Sequence, residues 1–133
     1  MNTILWAAAI VLAAVFFTSG TLKVALSKEK LRAAGRIRGR DGAAWTEEFS
    51  PVAIKAIGVL ELLAAIGLVA PPLVGIAPVL VPLAALGLVV IMVGAAVTHL
   101  RRKEHPHVVI NLAYLALAAV VVWGRLAVEP FTA

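Results

Sequence analysis

The sequence predicts an all-α fold, an integral membrane bundle of four transmembrane helices. Of its 133 residues, 62% are hydrophobic and only 14% are charged, whereas about a quarter of the residues in a soluble domain are charged. Four apolar stretches each reach about 20 residues, the length at which a helix crosses the hydrocarbon core. The short alternating segments of a β-barrel are absent. A lipid bilayer is therefore the expected environment, and residues 1–133 are expected to form a single transmembrane domain.

The composition also excludes several kinds of function. The chain has no cysteine, so it cannot form disulfides, thiolate metal sites or a thiolate nucleophile. Any redox role would therefore depend on a partner protein or a bound cofactor. The net charge of +5 does not indicate nucleic-acid binding, because the basic residues lie beside apolar stretches, where they set topology and contact lipid head groups.

The first predicted span covers residues 3–26. We expect it to be retained, because the residues before it lack the basic region of a secretory signal peptide. Ser19 and Lys23 lie four residues apart near its end and therefore share one helix face. Lys23 either points into the bundle or extends to the membrane surface as an anchor.

A basic connection of residues 27–50 follows, and it carries six basic side chains: Lys28, Lys30, Arg32, Arg36, Arg38 and Arg40. Trp45 and Phe49 lie four residues apart near its end, which indicates a short interfacial helix. The alternative is a solvated loop, and the sequence leaves both interpretations open.

The second span covers residues 51–70 and places one carboxylate, Glu61, among apolar neighbours. An acid at this depth, roughly 15 Å from the start of the helix, needs a partner, a proton or a water-filled cavity. Gly58 and Ala65 share its face and would let another helix approach the carboxylate. Glu61 is therefore a candidate functional group, and a structural ion pair with Lys23 is the alternative.

The third span covers residues 76–99, after an uncharged turn at residues 71–75. Pro78 is expected in its first turn, which leaves Pro82 as the candidate for a kink. His99 closes the span, where it would either relay protons at the polar end of the bundle or mark the membrane surface.

The fourth span covers residues 108–126, after a second basic connection at residues 101–106. Asn111 and Tyr114 lie in its first turns, and each is either a hydrogen-bond partner of a ligand or a packing contact between helices. No metal is expected, because the chain's three histidines lie across a proline-containing connection with little support from other ligands: His99, His105 and His107.

The two basic connections must lie on one side of the membrane, because successive spans alternate in direction. The positive-inside rule places that side in the cytoplasm and both termini outside, where Arg125 is the one basic side chain. Most polar side chains within the spans then belong to the inner half of the membrane, where they can line one cavity. Its candidate catalytic groups are Glu61 and His99, and its candidate ligand-binding residues are Lys23, Asn111, Tyr114 and Ser19.

Four segments together resemble a known family: FFTSGTLKVA in the first span, PVAIKAIGVLELLAAIGLVAPP in the second, VGAAVTHLRRKE closing the third and NLAYLALAAVVVWGR in the fourth. They are similar to the DoxX-like membrane proteins of bacteria, and the resemblance covers nearly the whole chain. It implies a four-helix transmembrane bundle in the bacterial cytoplasmic (inner) membrane. The recurring positions of the family match seven residues here: Gly20, Lys23, Lys55, Gly58, Glu61, Thr98 and His99.

The resemblance also implies a quinone-linked role. The family is named for a small membrane subunit linked to an archaeal terminal oxidase and thiosulfate:quinone oxidoreductase, and some members associate with redox-defence or thiol-oxidising partners. We therefore expect a protein that binds a lipophilic or quinone-like molecule, serves redox chemistry with a partner protein and has no covalently bound cofactor.

Three other functions stay open. They are a proton-coupled small-molecule transporter that uses Glu61, an enzyme that isomerises a lipidic substrate or opens an epoxide with Glu61 and His99, and a scaffold for a larger complex. The formation of a homo-oligomer through small residues such as Gly87 and Gly94 is also open.

Overall fold

The computed structural model describes residues 1–37 and 44–131 of the chain. Within these ranges, four helices are long and apolar enough to cross a membrane. They are α1 (Asn2–Ala25), α3 (Pro51–Val74), α4 (Leu80–Arg101) and α5 (His105–Trp123), and a π-helical turn over Gly124–Val128 extends α5. The predicted all-α bundle of four long apolar helices is confirmed.

The four long helices form a ring in the order α1, α3, α4, α5. The most extensive packing joins α1 to α3 and α4 to α5, and contacts of α3 with α4 and of α1 with α5 close the ring. Successive long helices run in opposite directions. One end of the bundle therefore carries the described parts of both basic connections, residues 26–37 and 44–50 in the first and 102–104 in the second, and we call it the basic end. The opposite end, with residues 1–4 and 124–131, is the terminal end.

Within the four long helices, the interior is apolar toward the terminal end and polar toward the basic end. The largest fully buried side chains of the four long helices are all apolar: Leu5, Leu12, Leu68, Val81, Leu88 and Val121. Glu61 and His99 are buried nearer the basic end. Many large apolar side chains point outward, as lipid-facing helices require, and examples are Ile10, Leu63, Leu83 and Val90.

The predicted turn at residues 71–75 is wrong at its start, because α3 continues through Pro71 and Pro72 to Val74. The helix ends instead at Gly75, whose φ of 69° is the left-handed conformation that glycine adopts without a Cβ clash. The N–H of Ile76 then donates to the carbonyl oxygen of Pro71 at 3.0 Å. The prolines remove N–H donors but do not by themselves stop the helix.

The other two differences also concern prolines. The third span begins at Leu80 rather than at residue 76, and Pro82 lies in the first turn of α4, where a missing N–H breaks no intrahelical bond. Pro82 therefore breaks no hydrogen bond of α4, and the reason for predicting a kink there does not apply. The fourth span begins at His105 rather than at residue 108, with Pro106 in its first turn, a position that favours proline.

The described part of the basic connection contains two short helices rather than a solvated loop. Lys28–Ile37 forms α2 and Ala44–Glu48 forms a 3₁₀ helix, which agrees with the predicted short helix near Trp45. An ion pair of Arg32 with Glu47 joins the two. Residues 38–43, which include two of the six basic residues of this connection, Arg38 and Arg40, lie outside the described residues.

Candidate functional site: a polar cavity at the basic end

Two glycines let α1 and α3 approach closely where they cross. A Cβ atom added at Gly20 would lie 2.7 Å from the carbonyl oxygen of Gly58, and one added at Gly58 would lie 2.7 Å from Cβ of Lys23. Lys23 and Glu61 each follow the glycine of their own helix by three residues, about 4.5 Å along the axis. Because side chains lean toward the N-terminus of their helix, both lean back toward the crossing and meet there.

Lys23 and Glu61 form an ion pair inside the bundle. Nζ of Lys23 donates to both carboxylate oxygens at 3.1 Å and to Oγ of Ser19 at 2.5 Å. The Lys23 and Glu61 side chains are only 13% and 4% exposed. Nζ also lies 5.4 Å from the centroid of the Trp45 ring, within cation–π range. Lys23 therefore points inward rather than to the membrane surface, and the structural ion pair left open by the sequence is present.

One cavity of about 630 Å³ is lined by all six of the predicted site residues: Glu61, His99, Lys23, Asn111, Tyr114 and Ser19. They come from all four long helices. The remaining wall is mostly apolar, with Phe16, Ile91 and Met92 among its members. The rings of Phe16 and Tyr114 meet edge to face, with their centroids 5.6 Å apart. The structure therefore brings the six residues together around one space.

The 3₁₀ helix and the residue after it contribute three cavity residues that the sequence did not single out as site residues: Trp45, Glu48 and Phe49. The rings of Trp45 and Phe49 meet edge to face at 5.8 Å. Lys28 Nζ donates to the carbonyl oxygen of Phe49 at 2.9 Å, which ties this segment to α2. The aromatic pair spaced four apart was the signal in the sequence, but it indicated only an interfacial helix.

Asn111 offers the cavity a hydrogen-bond donor. Its Nδ2 is buried and has no hydrogen-bond partner among the described residues. A buried donor without a partner costs about 1–3 kcal/mol, so native structures rarely retain one without a reason. A contact with another helix, the alternative that the sequence left open, would have given Nδ2 a partner. An acceptor atom on a bound molecule would satisfy it instead.

The turn between α4 and α5 lies at the basic end and follows His99 of the cavity wall. Nδ1 of His99 lies 2.6 Å from Oε2 of Glu104, and Nε of Arg102 donates to Oε1 at 2.9 Å. Desolvation raises the pKa of Glu104, but the hydrogen bonds from His99 and Arg102 outweigh it and hold this pKa below its ordinary value. The hydrogen bond to Glu104 in turn raises the pKa of Arg102. His99 is thus a buried and paired cavity residue rather than a marker of the membrane surface.

Sequence reasoning missed a buried cation at the terminal end. Arg125, which the sequence indicated only as a basic side chain on the outer side of the membrane, is buried in the bundle and only 5% exposed. Its guanidinium lies 3.8 Å from the centroid of the Phe131 ring, and Nη1 donates to Oδ1 of Asn2 at 2.8 Å. Nη1 also donates to the carbonyl oxygen of Glu129 at 3.2 Å. These contacts join the two ends of the chain.

A model of the DoxX-like family matches residues 7–121. The chain belongs to the DoxX-like family. Every residue that lines the cavity, from Val15 to Tyr114, falls within the matched part of this DoxX-like chain. Family membership and the four long apolar helices together make it a membrane protein. Searches of curated proteins and of solved structures found no significant match.

Proposed function

We propose that this DoxX-like protein binds a lipophilic small molecule with a hydrogen-bond-accepting head group, such as a quinone, in the cavity at the basic end. The observation that carries the proposal is the buried Nδ2 of Asn111, which has no hydrogen-bond partner in the part of the chain that the structure describes, in a mostly apolar cavity of about 630 Å³. Small-molecule sites are usually clefts of about 300–1,000 Å³ with apolar walls and a few polar groups that orient the ligand.

The side chains around the cavity suit the two parts of such a molecule. Nδ2 of Asn111 would donate to a carbonyl oxygen of the head group, and the aromatic pair of Phe16 and Tyr114 would pack against its ring. The tail would lie along apolar wall residues such as Ile91. The Glu61 carboxylate, held by Lys23, would accept a hydrogen bond from a head-group hydroxyl, the form that a reduced quinone presents.

A redox role on this site requires a partner protein. Reduction of a quinone to a quinol takes two electrons and two protons, and the chain has no cysteine with which to exchange electrons through thiols. The partner would supply or remove the electrons. Glu61 and His99 are the groups at the cavity that could transfer the protons. By the positive-inside rule we expect the basic end, with the cavity beside it, to face the cytoplasm.

Equilibrium binding of a short-chain quinone to the purified protein in detergent micelles tests the proposal. Asn111→Leu removes the donor while keeping the size of the side chain. We expect it to weaken binding about tenfold, the equivalent of a hydrogen bond of about 1.4 kcal/mol. Leu112→Ala is the control, because Leu112 is the next residue of the same helix and is 50% exposed toward lipid. Equal affinities of the wild type and both variants would contradict the proposal.

One observation favours an enzyme as the second candidate function. Glu61 and His99, the acid–base pair proposed for a lipidic substrate, line the same cavity. An enzyme would turn over a lipidic epoxide or isomerisable lipid as the purified protein alone, and Glu61→Gln would abolish that turnover. The ligand-binding function requires no turnover without a redox partner.

A further inference from the structure

The turn between α4 and α5 gathers three side chains that can bind metal ions. His99, Glu104 and His107 each offer one ligand atom, and the three atoms lie within 4.8 Å of one another. The sequence argued against a metal site on the three histidines alone. In the structure, the cluster contains His99 and His107 but not His105, and the carboxylate of Glu104 is its third member.

The backbone explains why these side chains converge. Helix α4 ends in a Schellman motif, in which the N–H of Glu104 donates to the carbonyl oxygen of His99 at 2.9 Å and that of Lys103 to Leu100 at 3.0 Å. Lys103 takes the left-handed conformation that this motif needs, with φ 59°. The motif brings its first and last residues, here His99 and Glu104, side by side. The N–H of His107 also donates to the carbonyl oxygen of Glu104, at 3.1 Å.

We propose that His99, Glu104 and His107 bind a divalent transition-metal ion of the Zn²⁺ class at the edge of the cavity. Two imidazoles and one carboxylate are a ligand set that Zn²⁺ takes in sites with three protein ligands and an open fourth position. Because His99 also lines the cavity, the ion would sit at its edge. Its open position would be available to water or to a molecule in the cavity.

The contacts around the cluster are compatible with this ion. The imidazole rings of His99 and His107 stack with their centroids 4.9 Å apart, and Arg102 holds only Oε1 of Glu104, which leaves Oε2 beside His99. Bonds from Zn²⁺ to nitrogen or oxygen of about 2.0–2.2 Å place two ligand atoms at most about 4 Å apart. The three side chains would therefore close by roughly an ångström, with the two rings turning toward the ion. Arg102 would orient the carboxylate, as hydrogen-bond partners of metal ligands do.

Titration of the full-length protein with metal ions tests the site. The protein carries an affinity tag without histidine and is kept in detergent micelles. Zn²⁺ binding is measured in competition with a chelating dye, and Co²⁺ serves as a probe whose visible absorption reports its coordination. We expect one ion per chain. His107→Ala and Glu104→Gln should each weaken binding at least about tenfold, since even the loss of a hydrogen-bond partner of a ligand costs that much.

His105→Ala is the matched control, because His105 is the same residue type two positions from His107 and lies outside the cluster. It should leave the affinity unchanged. Circular dichroism and size-exclusion chromatography show whether each variant is folded. If His107→Ala is unfolded, the affinity of Glu104→Gln decides the test. No binding of one ion per chain, unchanged affinity in the folded cluster variants, or an equal loss in His105→Ala would each overturn the proposal.

Discussion

Gly58 is the position at which one added methyl group should disturb the site most. A Cβ atom there would lie 2.7 Å from Cβ of Lys23 and 2.9 Å from the carbonyl oxygen of Gly20. Nonbonded carbon atoms prefer about 3.5–4.0 Å, so α1 and α3 would have to separate by roughly 1 Å. That movement would lengthen the 3.1 Å contacts of Lys23 with Glu61 to about 4 Å, beyond hydrogen-bond range.

We therefore expect Gly58→Ala to lower the free energy of unfolding by about 1–3 kcal/mol, the usual cost of overpacking. Circular dichroism during titration from mild into denaturing detergent measures this quantity. Gly87→Ala is the matched control, because a Cβ at Gly87 meets no atom within 4 Å. Alanine should be neutral there or stabilise α4 by up to about 1 kcal/mol through its helix propensity. Equal stability of the two variants would refute the close crossing.

The same unfolding assay checks the other charged contacts. Glu61→Gln leaves the buried ammonium of Lys23 unpaired and should lower the free energy of unfolding by about 3–5 kcal/mol. The double variant Lys23→Met, Glu61→Leu should be close to the wild type in stability. A double variant as unstable as the single one would contradict the pairing. Arg125→Leu should cost about 1–3 kcal/mol, because it leaves polar partners at the terminal end unsatisfied, and an unchanged stability would show that these contacts contribute nothing. Glu104 has a pKa lowered from its ordinary 4.5, so its contribution is fully present above that pH and is lost as the pH falls through the lower value in the folded state. The wild type should accordingly lose stability relative to Glu104→Gln on acidification below about pH 4.5, and parallel curves for the two proteins would argue against the pairing of Glu104.

The hydropathy of the chain was sufficient to predict the four spans and the bundle. Their ends were less predictable, because the residue that can leave the helical conformation decides where a helix stops. Gly75 ends α3 although Pro71 and Pro72 precede it. Pro82 and Pro106 begin helices rather than bending or preceding them, because each falls in a first turn.

The centre of the site was predictable for a different reason. A single carboxylate in an apolar span needs a partner, a proton or a water-filled cavity, so the sequence alone identified Glu61 as a site residue. Helical spacing placed Gly58 on the same face of the helix. The choice of Lys23 as that partner depended on how α1 and α3 cross. The spacing of residues along each helix does not show how far α1 is shifted along its axis relative to α3.

Three features of the structure depend on tertiary contacts or backbone conformation that the sequence pattern did not reveal. The 3₁₀ helix with Trp45 covers the cavity only because α2 returns it to the bundle. Glu104 reaches His99 through the left-handed backbone of Lys103, a conformation uncommon for lysine. The burial of Arg125 requires both termini to meet, which no local pattern reveals.

Mass spectrometry of the small molecules that the protein retains after gentle purification tests the lipophile site most directly. The wild type is compared with Asn111→Leu and with Leu112→Ala as the lipid-facing control. Retention of a carbonyl-bearing lipophile such as a quinone by the wild type and Leu112→Ala, with its loss from Asn111→Leu, is the predicted result. A wild type that retains no such molecule, or an Asn111→Leu variant that retains it equally, would contradict the proposed site.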